Sequence, residues 1–418
     1  MESTSDTQAA SATEGREALA AAKIKAAEEA TSAYVIGKRR WYHAHPEVAY
    51  KEFVTTEQIC ADLDELGIGY ERPTDTGVIA TIKGTAPGAY DEKGNARRRV
   101  MLRSDIDALP VSEETGEPFS SENPGFMHAC GHDCHMAMLL GAAKLLLGMT
   151  DELAGEVRLV FQPAEEGGDG SGHMIAAGAL EGVDSVYGTH IWSDVPAGKV
   201  SVEAGPRMAA TDWWRLDVTG KSAHGAMPNQ GADALLAGAA IVESLQAIVS
   251  RNMSPFEPAV VSVGQFHAGT ARNVIAGSAW MDGTVRTFHD DSRQRIPQLI
   301  ERMAKDVAAA YGCTAELTYT MTHPPVVNDA EASERAARAA TEVLGADAIT
   351  RYEGCMPGED FASYLQHVPG VFVFLGAGTA DPMGTVWPQH SCHYDPDESV
   401  LVRGSMLAAQ YAVAFLNE

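Results

Sequence analysis

Apolar positions along the chain change texture twice. Up to about residue 205, short continuous apolar runs alternate with longer segments of helical period, which predicts an α/β layer architecture. RVMLRS (Arg99 to Ser104), EVRLVFQP (Glu156 to Pro163) and DSVYGT (Asp184 to Thr189) read as buried strands. From about Gly205 the strands become longer and alternate. TDWWRLDVTG (Thr211 to Gly220), PAVVSVGQF (Pro258 to Phe266), SAWMDGTVRTF (Ser278 to Phe288) and TAELTYTM (Thr314 to Met321) read as strands. Between them, GADALLAGAAIVESLQAIVSR (Gly231 to Arg251) and DSRQRIPQLIERMAKDVAAAYG (Asp291 to Gly312, despite Pro297) read as helices. The order β-α-β-β-α-β is that of a ferredoxin-like module, and about 115 residues suits one inserted domain. After HPPVVND (His323 to Asp329) the first texture returns, with a helix over Ala330 to Leu344, the buried strand VFVFLGAG (Val371 to Gly378) and a C-terminal helix.

The predicted fold class is therefore α/β: a mixed-sheet α/β main domain, discontinuous over 16–205 and 323–418, with a ferredoxin-like α+β (βαββαβ) domain inserted at 206–322. Residues 1–15 are expected to be a disordered tail, and Glu17 to Arg39 an Ala-rich helix.

The residues just past each early strand carry chemistry. Arg99 to Ser104 leads into Asp105 and Asp107, Glu156 to Pro163 into Glu165 and Glu166, and Asp184 to Thr189 into His190. In a parallel sheet the C-terminal strand ends line the binding crevice. Residues far apart in sequence can therefore converge there. Capping of neighbouring helices accounts for any one of these acids, and poorly for all of them together.

The segment FMHACGHDCHMAML (Phe126 to Leu139) places three histidines, two cysteines and an aspartate in eight residues before an apolar run. A metal site, a reactive cysteine and a buried structural loop are the three readings. Cys130 and His132 flank Gly131, which lets the backbone turn so that both face one ion. Thiolate, imidazole and carboxylate together suit zinc, manganese, cobalt or nickel rather than calcium or magnesium. The spacing of Cys130 and Cys134 is not the C-x-x-C of a redox site, and a cysteine nucleophile stays open. In the adjacent pair Glu165-Glu166, one carboxylate can coordinate metal while the other takes a proton from water, whose pKa a Lewis acid lowers to about 7.

Composition narrows the partners. In 418 residues there are 57 acidic and 31 basic side chains, a formal charge of −26, which argues against a nucleic-acid partner. Apolar runs such as Met136 to Leu147 stop short of the roughly 20 residues of a membrane span. Six dispersed cysteines do not make a disulfide framework. With an N-terminus that does not read as a secretory signal, a reducing, cytoplasmic setting is expected.

Seven strings occur in a fixed order: RSDIDALP (Arg103 to Pro110), MHACGHDCHMAMLLG (Met127 to Gly141), FQPAEEGGDG (Phe161 to Gly170), GTHIW (Gly188 to Trp192), GKSAHGAMP (Gly220 to Pro228), RNVIAGSAWMDGTVR (Arg272 to Arg286) and GEDFASYL (Gly358 to Leu365). From about Arg39 onward the chain resembles the dinuclear metallo-amidohydrolases related to aminoacylase, hippurate hydrolase and indole-3-acetyl-amino-acid hydrolase. The resemblance implies a metal-dependent catalytic domain and an inserted lid or dimerisation domain. It implies two divalent ions, zinc or manganese with cobalt or nickel as options, held by Cys130, His132, Glu166, His190 and His390 with a shared thiolate or water. Glu165 matches the general base, and Asp107 a group that orients a ligand histidine. His224 matches a histidine presented to the scissile carbonyl, usually by a partner subunit. Asn273 and Arg286 match substrate-binding positions, the guanidinium suiting a carboxylate.

The implied activity is hydrolysis of the amide bond of N-acyl, in particular N-aromatic-acyl, amino acids to a carboxylic acid and a free amino acid. A homodimer or higher homo-oligomer is expected. A dipeptidase or carboxypeptidase of the same family is the alternative, and a non-catalytic metal-binding protein a further one. His128 and His135 belong to the motif without being expected as direct ligands. Two positions depart from the family pattern: Cys134 stands where a small apolar residue is common, and Cys392-His393 follows His390 where His-Ser-Pro is typical. The second departure makes His393 a rival of His390.

Overall fold

The structure, a computed structural model, describes residues 15–380, 383–384 and 386–418. The tail expected over 1–15 lies, Gly15 excepted, outside the described residues. The chain divides into two compact units: residues up to Gly205 with Asn328–Tyr352 and Ser363–Glu418, and Pro206–Val327 with Glu353–Ala362. The first unit thus resumes at Asn328, not at His323. Residues 353–362 join the second because Cys355 N–H bonds to Arg207 O at 3.0 Å.

The first unit is built on a seven-stranded mixed sheet. Its strand order is Tyr70–Glu71, Val78–Lys83, Glu156–Gln162, Arg99–Asp105, Ser185–Trp192, Gly370–Gly376 and Val200–Ser201. The four strands from Glu156–Gln162 to Gly370–Gly376 run parallel, and the outer ones pair antiparallel. Gly370–Gly376 is buried throughout, as expected of a strand covered on both faces. Ser185–Trp192 is longer than the expected run to Thr189, because Gly370–Gly376 pairs along it and places Phe374 opposite His190. His190 therefore lies within a strand and not beyond it.

The helix His132–Leu147 is buried at fourteen of its sixteen positions, as a helix apolar on every side must be. It packs against Glu28–Ala44 and Leu401–Asn417. A Cβ on Gly141 would stand 2.4 Å from Ser405 Oγ and 2.5 Å from Val35, so the three helices meet where a side chain is missing. At the start of the central helix, Asp133 binds Arg39 Nε at 2.9 Å and His43 Nδ1 at 2.8 Å, and Arg39 and Asp133 are both buried. Burial pushes the Asp133 carboxyl up, but Arg39 and His43 outweigh it and hold it well below the usual carboxylate range. The helix expected over Glu17 to Arg39 is broken: residues 15–26 are helical, Ala27 is a turn, and Glu28–Ala44 comes next. No glycine or proline marks that break.

The second unit has a four-stranded antiparallel sheet ordered Thr314–His323, Ala210–Thr219, Ser278–Thr287, Ala259–Ala268. The helices Ala234–Ala247 and Asp290–Ala310, the latter with Pro297 inside it, pack on this sheet in the ferredoxin-like order. Along Ala210–Thr219, Trp214, Leu216 and Val218 are buried while Asp217 and Thr219 are exposed, the alternation of a half-covered sheet. Two helical stretches, Ala234–Asn252 and Glu398–Asn417, do reach the length and hydropathy of a membrane span, contrary to the reading of the apolar runs. In Glu398–Asn417, 89% of the residues of the apolar window are buried, so its apolarity belongs to the core.

Candidate metal centre

The first unit gathers the expected ligands from four separate segments. Cys130 and His132 come from the loop entering the central helix. Gly131 between them is at φ +89°, and a Cβ there would stand 2.4 Å from Ile191 Cδ1. Glycine is required on both counts. Glu165 and Glu166 sit on the turn after Glu156–Gln162, His190 on its strand, and His390 on a turn at φ +68° whose N–H bonds to Ala129 O at 2.7 Å.

The ligand atoms of Cys130, His132 and His190 all lie within 4.8 Å of one another, as do those of Cys130, Glu166 and His390, and those of His132, Glu165 and Glu166. Cys130 thus belongs to two triads. Its Sγ is 3.5 Å from His190 Nε2, and Glu166 Oε1 is 3.2 Å from His390 Nε2 and 4.0 Å from His132 Nε2. His393 points elsewhere, with Nε2 3.6 Å from a Glu114 carboxylate oxygen.

The surrounding hydrogen bonds assign tautomers. His190 Nδ1 donates to Ile191 O at 2.6 Å, which leaves Nε2 as the lone-pair nitrogen facing Cys130. His135 is consumed structurally: Nε2 accepts from Ile191 N–H at 3.0 Å, so Nδ1 donates to Asp105 at 2.7 Å. Neither nitrogen of His135 is left for a ligand. Asp107 accepts the backbone N–H groups of Glu165 (3.1 Å) and Glu166 (2.9 Å) and lies 3.3 Å from His132 Nδ1, so one carboxylate orients three members of the site.

Charge at the site is concentrated and buried. Burial alone would push the His132 imidazole down, but Asp105, Asp107 and Glu166 outweigh it and raise it to about 10. Burial, with Glu166 and Glu165 nearby, pushes the Cys130 thiol up. His190 is pushed well down by burial and by His135. Both ring nitrogens of His132, together with Glu166 Oε1, are buried without a hydrogen-bond partner. Orphaned atoms in a set of thiol, imidazole and carboxylate are what a borderline-soft divalent cation satisfies, so the residues fit a metal.

These features answer to one known group of enzymes. The family model described as Peptidase family M20/M25/M40 matches residues 101–414. The chain belongs to this family. It is accordingly a hydrolase of amide bonds. It is 44% identical over 315 residues to an N-acyl-L-amino acid amidohydrolase of Geobacillus stearothermophilus, covering 75% of this chain and 83% of that one. It is 36% identical over 390 residues to thermostable carboxypeptidase 1 of Saccharolobus solfataricus, covering 92% and 96%. A dinuclear metal-binding peptidase of the M20 family from Bacillus subtilis, of known structure, superposes with a TM-score of 0.81 at 37% identity, covering 93% and 99%.

In the second unit, Gly225 N–H bonds to Asn273 O at 2.8 Å, which ties the loop of His224 to that of Asn273. His224 and Asn273 are both exposed. His224 Nδ1 accepts from Ala226 N–H at 3.1 Å, so in the neutral ring the proton sits on Nε2. Arg286 lies on the sheet, half-buried, with its guanidinium 5.6 Å from the Trp213 ring and bonded to Val285 O at 3.1 Å and to Thr284. Trp214 is in the core of this unit and Trp213 is 53% exposed. Trp192, in the first unit, meets the His190 ring edge-on at 5.3 Å.

Sequence reasoning assigned no role to Glu52. It is fully buried, and one carboxylate oxygen accepts Ala164 N–H at 2.9 Å. Ala164 is held at φ +56° immediately before Glu165. An acid between Lys51 and Phe53 in an irregular stretch carries no periodic signal that would have singled it out.

Proposed function

We propose that the protein is a metal-dependent amidohydrolase that cleaves the amide bond of N-acyl amino acids, releasing a carboxylic acid and a free amino acid. The observation that carries this reading is the convergence of Cys130, His132, Glu166, His190 and His390, with Glu165 beside two of them. Two divalent ions, zinc or manganese in the first place and cobalt or nickel otherwise, supply Lewis acidity to the carbonyl and to the attacking water when bound. Cys130, His132 and Glu166 each belong to two of the three triads, so each could serve either of two ions.

The chain's own groups do the rest. Glu165 takes the proton of the attacking water and returns it to the leaving amine, while Asp107 holds the Glu165-Glu166 turn and His132 in place. His224, supplied by a partner subunit of a homodimer or higher homo-oligomer, donates from Nε2–H to the carbonyl oxygen as charge develops there. Asn273 and Arg286 hold the substrate carboxylate. The unit of residues up to Gly205 with Asn328–Tyr352 and Ser363–Glu418 is the catalytic domain, and that of Pro206–Val327 with Glu353–Ala362 the lid and dimerisation domain. An aromatic acyl group is favoured by Trp192, whose ring stands 5.3 Å from that of His190 and is not wholly buried. The enzyme acts in the cytoplasm, without nucleic acid or membrane as partner.

The likeness to thermostable carboxypeptidase 1 supports a carboxypeptidase or dipeptidase as the second reading. A substrate panel decides between the two: N-aromatic-acyl amino acids, N-aliphatic-acyl amino acids and dipeptides, offered to chelator-stripped protein before and after divalent metal is restored. Metal-dependent cleavage strongest on N-aromatic-acyl amino acids is expected. Cleavage of dipeptides alone overturns the amidohydrolase reading, and activity indifferent to chelation overturns the metal.

A further inference from the structure

A second cluster of metal-capable side chains lies outside the centre. Glu114, Cys392 and His393 bring a carboxylate oxygen, a sulfur and an imidazole nitrogen within 4.8 Å of one another. All three reach the surface, Glu114 exposed and the other two half-buried.

The imidazole is held in one orientation. His393 Nδ1 lies 3.0 Å from the Glu114 carbonyl oxygen, which can only accept, so Nδ1 carries the proton. In the neutral ring Nε2 is then a bare lone pair, facing a Glu114 carboxylate oxygen at 3.6 Å, beyond hydrogen-bond reach. Two acceptors oppose each other there, with the Cys392 sulfur as a third donor of electrons.

That arrangement suits a cation. Nitrogen and oxygen ligands about 2.0–2.1 Å from a tetrahedral zinc ion stand roughly 3.4 Å apart, close to the spacing found here. The neighbouring backbone keeps the three side chains together. Glu114 N–H bonds to Cys392 O at 2.8 Å, His393 N–H to Ser391 Oγ at 3.2 Å, and the Trp387 ring stands 4.8 Å from the imidazole. An imidazole whose other nitrogen donates to a carbonyl is the arrangement commonly found around metal-ligating histidines.

The geometry points to an additional site for a borderline-soft divalent cation of zinc type, ligated by Glu114, Cys392 and His393 with one position open to water. Three ligands at the surface bind more weakly than the buried set, so this site fills after the centre. Cys392 and His393 lie two and three residues beyond His390, so an ion here stiffens the turn that carries that ligand.

Zinc titration of the full-length, zinc-loaded and desalted protein tests this, followed by isothermal calorimetry and by elemental analysis after gel filtration. The wild-type protein is expected to take up one equivalent more than Cys392→Ser or His393→Ala, whether the centre itself holds one ion or two, and Glu114→Gln to bind that equivalent at least tenfold more weakly. In the cobalt-loaded protein, Cys392→Ser should lose part of the thiolate-to-metal absorption and keep the part due to Cys130. Equal uptake by all four proteins overturns the proposal. So does loss of the centre's own ions in the variants, which would make these residues supports for the His390 turn only. Circular dichroism and melting of each variant confirm that the comparison is between folded proteins.

Discussion

Replacing Glu52 by glutamine should change how stability depends on pH. The wild-type carboxyl is fully buried, with one oxygen on Ala164 N–H and the other without a partner. Burial raises its pKa from the ordinary 4.5 to about 7, with the nearby Asp107 acting in the same sense. Between those two values the folded protein keeps a proton that the unfolded chain has released. Its stabilising contribution is therefore complete below about pH 4.5 and is lost as pH rises through about 7. The rise corresponds to roughly 3 kcal/mol. Glutamine can still accept from Ala164 and does not ionise, so Glu52→Gln carries no such loss. Urea unfolding of the chelator-stripped proteins from about pH 4.5 to about pH 8 measures the difference between the two directly. The variant should gain on the wild type by roughly 3 kcal/mol across that range. Parallel stability curves would refute the buried, proton-holding carboxyl, and a variant that falls behind as pH rises would reverse the sign of the argument.

Three further outcomes are expected. Glu165→Gln should lower kcat by about 10²–10⁴-fold with metal content unchanged, and near-wild-type turnover at full metal would remove Glu165 as the base. Asp107→Asn leaves one acceptor for two N–H groups and turns an amide N–H toward one of them. Metal affinity, measured by competition with a chromophoric chelator, should fall about 10–100-fold. Arg39→Met strips Asp133 of its buried guanidinium partner at 2.9 Å and should cost about 3–5 kcal/mol in denaturant unfolding. Asp133→Asn in the same chain should recover part of that loss.

Much of the centre could be read from sequence because its residues lie just past apolar strands. Asp107, Glu165 and Glu166 are polar side chains placed beyond runs that only a buried strand explains, and the parallel strands then bring them to one edge. The alternation around Trp214, Leu216 and Val218 revealed the second sheet for a similar reason. The features that escaped have no period. Glu52 acts through one backbone N–H across more than a hundred residues, the break at Ala27 lies in uniformly helical composition, and the strand end at Trp192 depends on a pairing partner nearly two hundred residues away. His393 could not be told from His390 until the turn showed one facing Glu166 and the other Glu114.

The bond from His390 N–H to Ala129 O has a consequence for biosynthesis. It fastens the last residue of the proposed set to the loop of the first, and the strand Gly370–Gly376 that borders His190 is likewise made late. A ribosome must therefore release nearly the whole chain before the centre can close. The earlier residues of the proposed set, Cys130, His132, Glu166 and His190, are then incomplete without His390. If the proposed set holds metal, loading follows translation, and a chain truncated before His390 should emerge with its thiol and imidazoles incompletely enclosed.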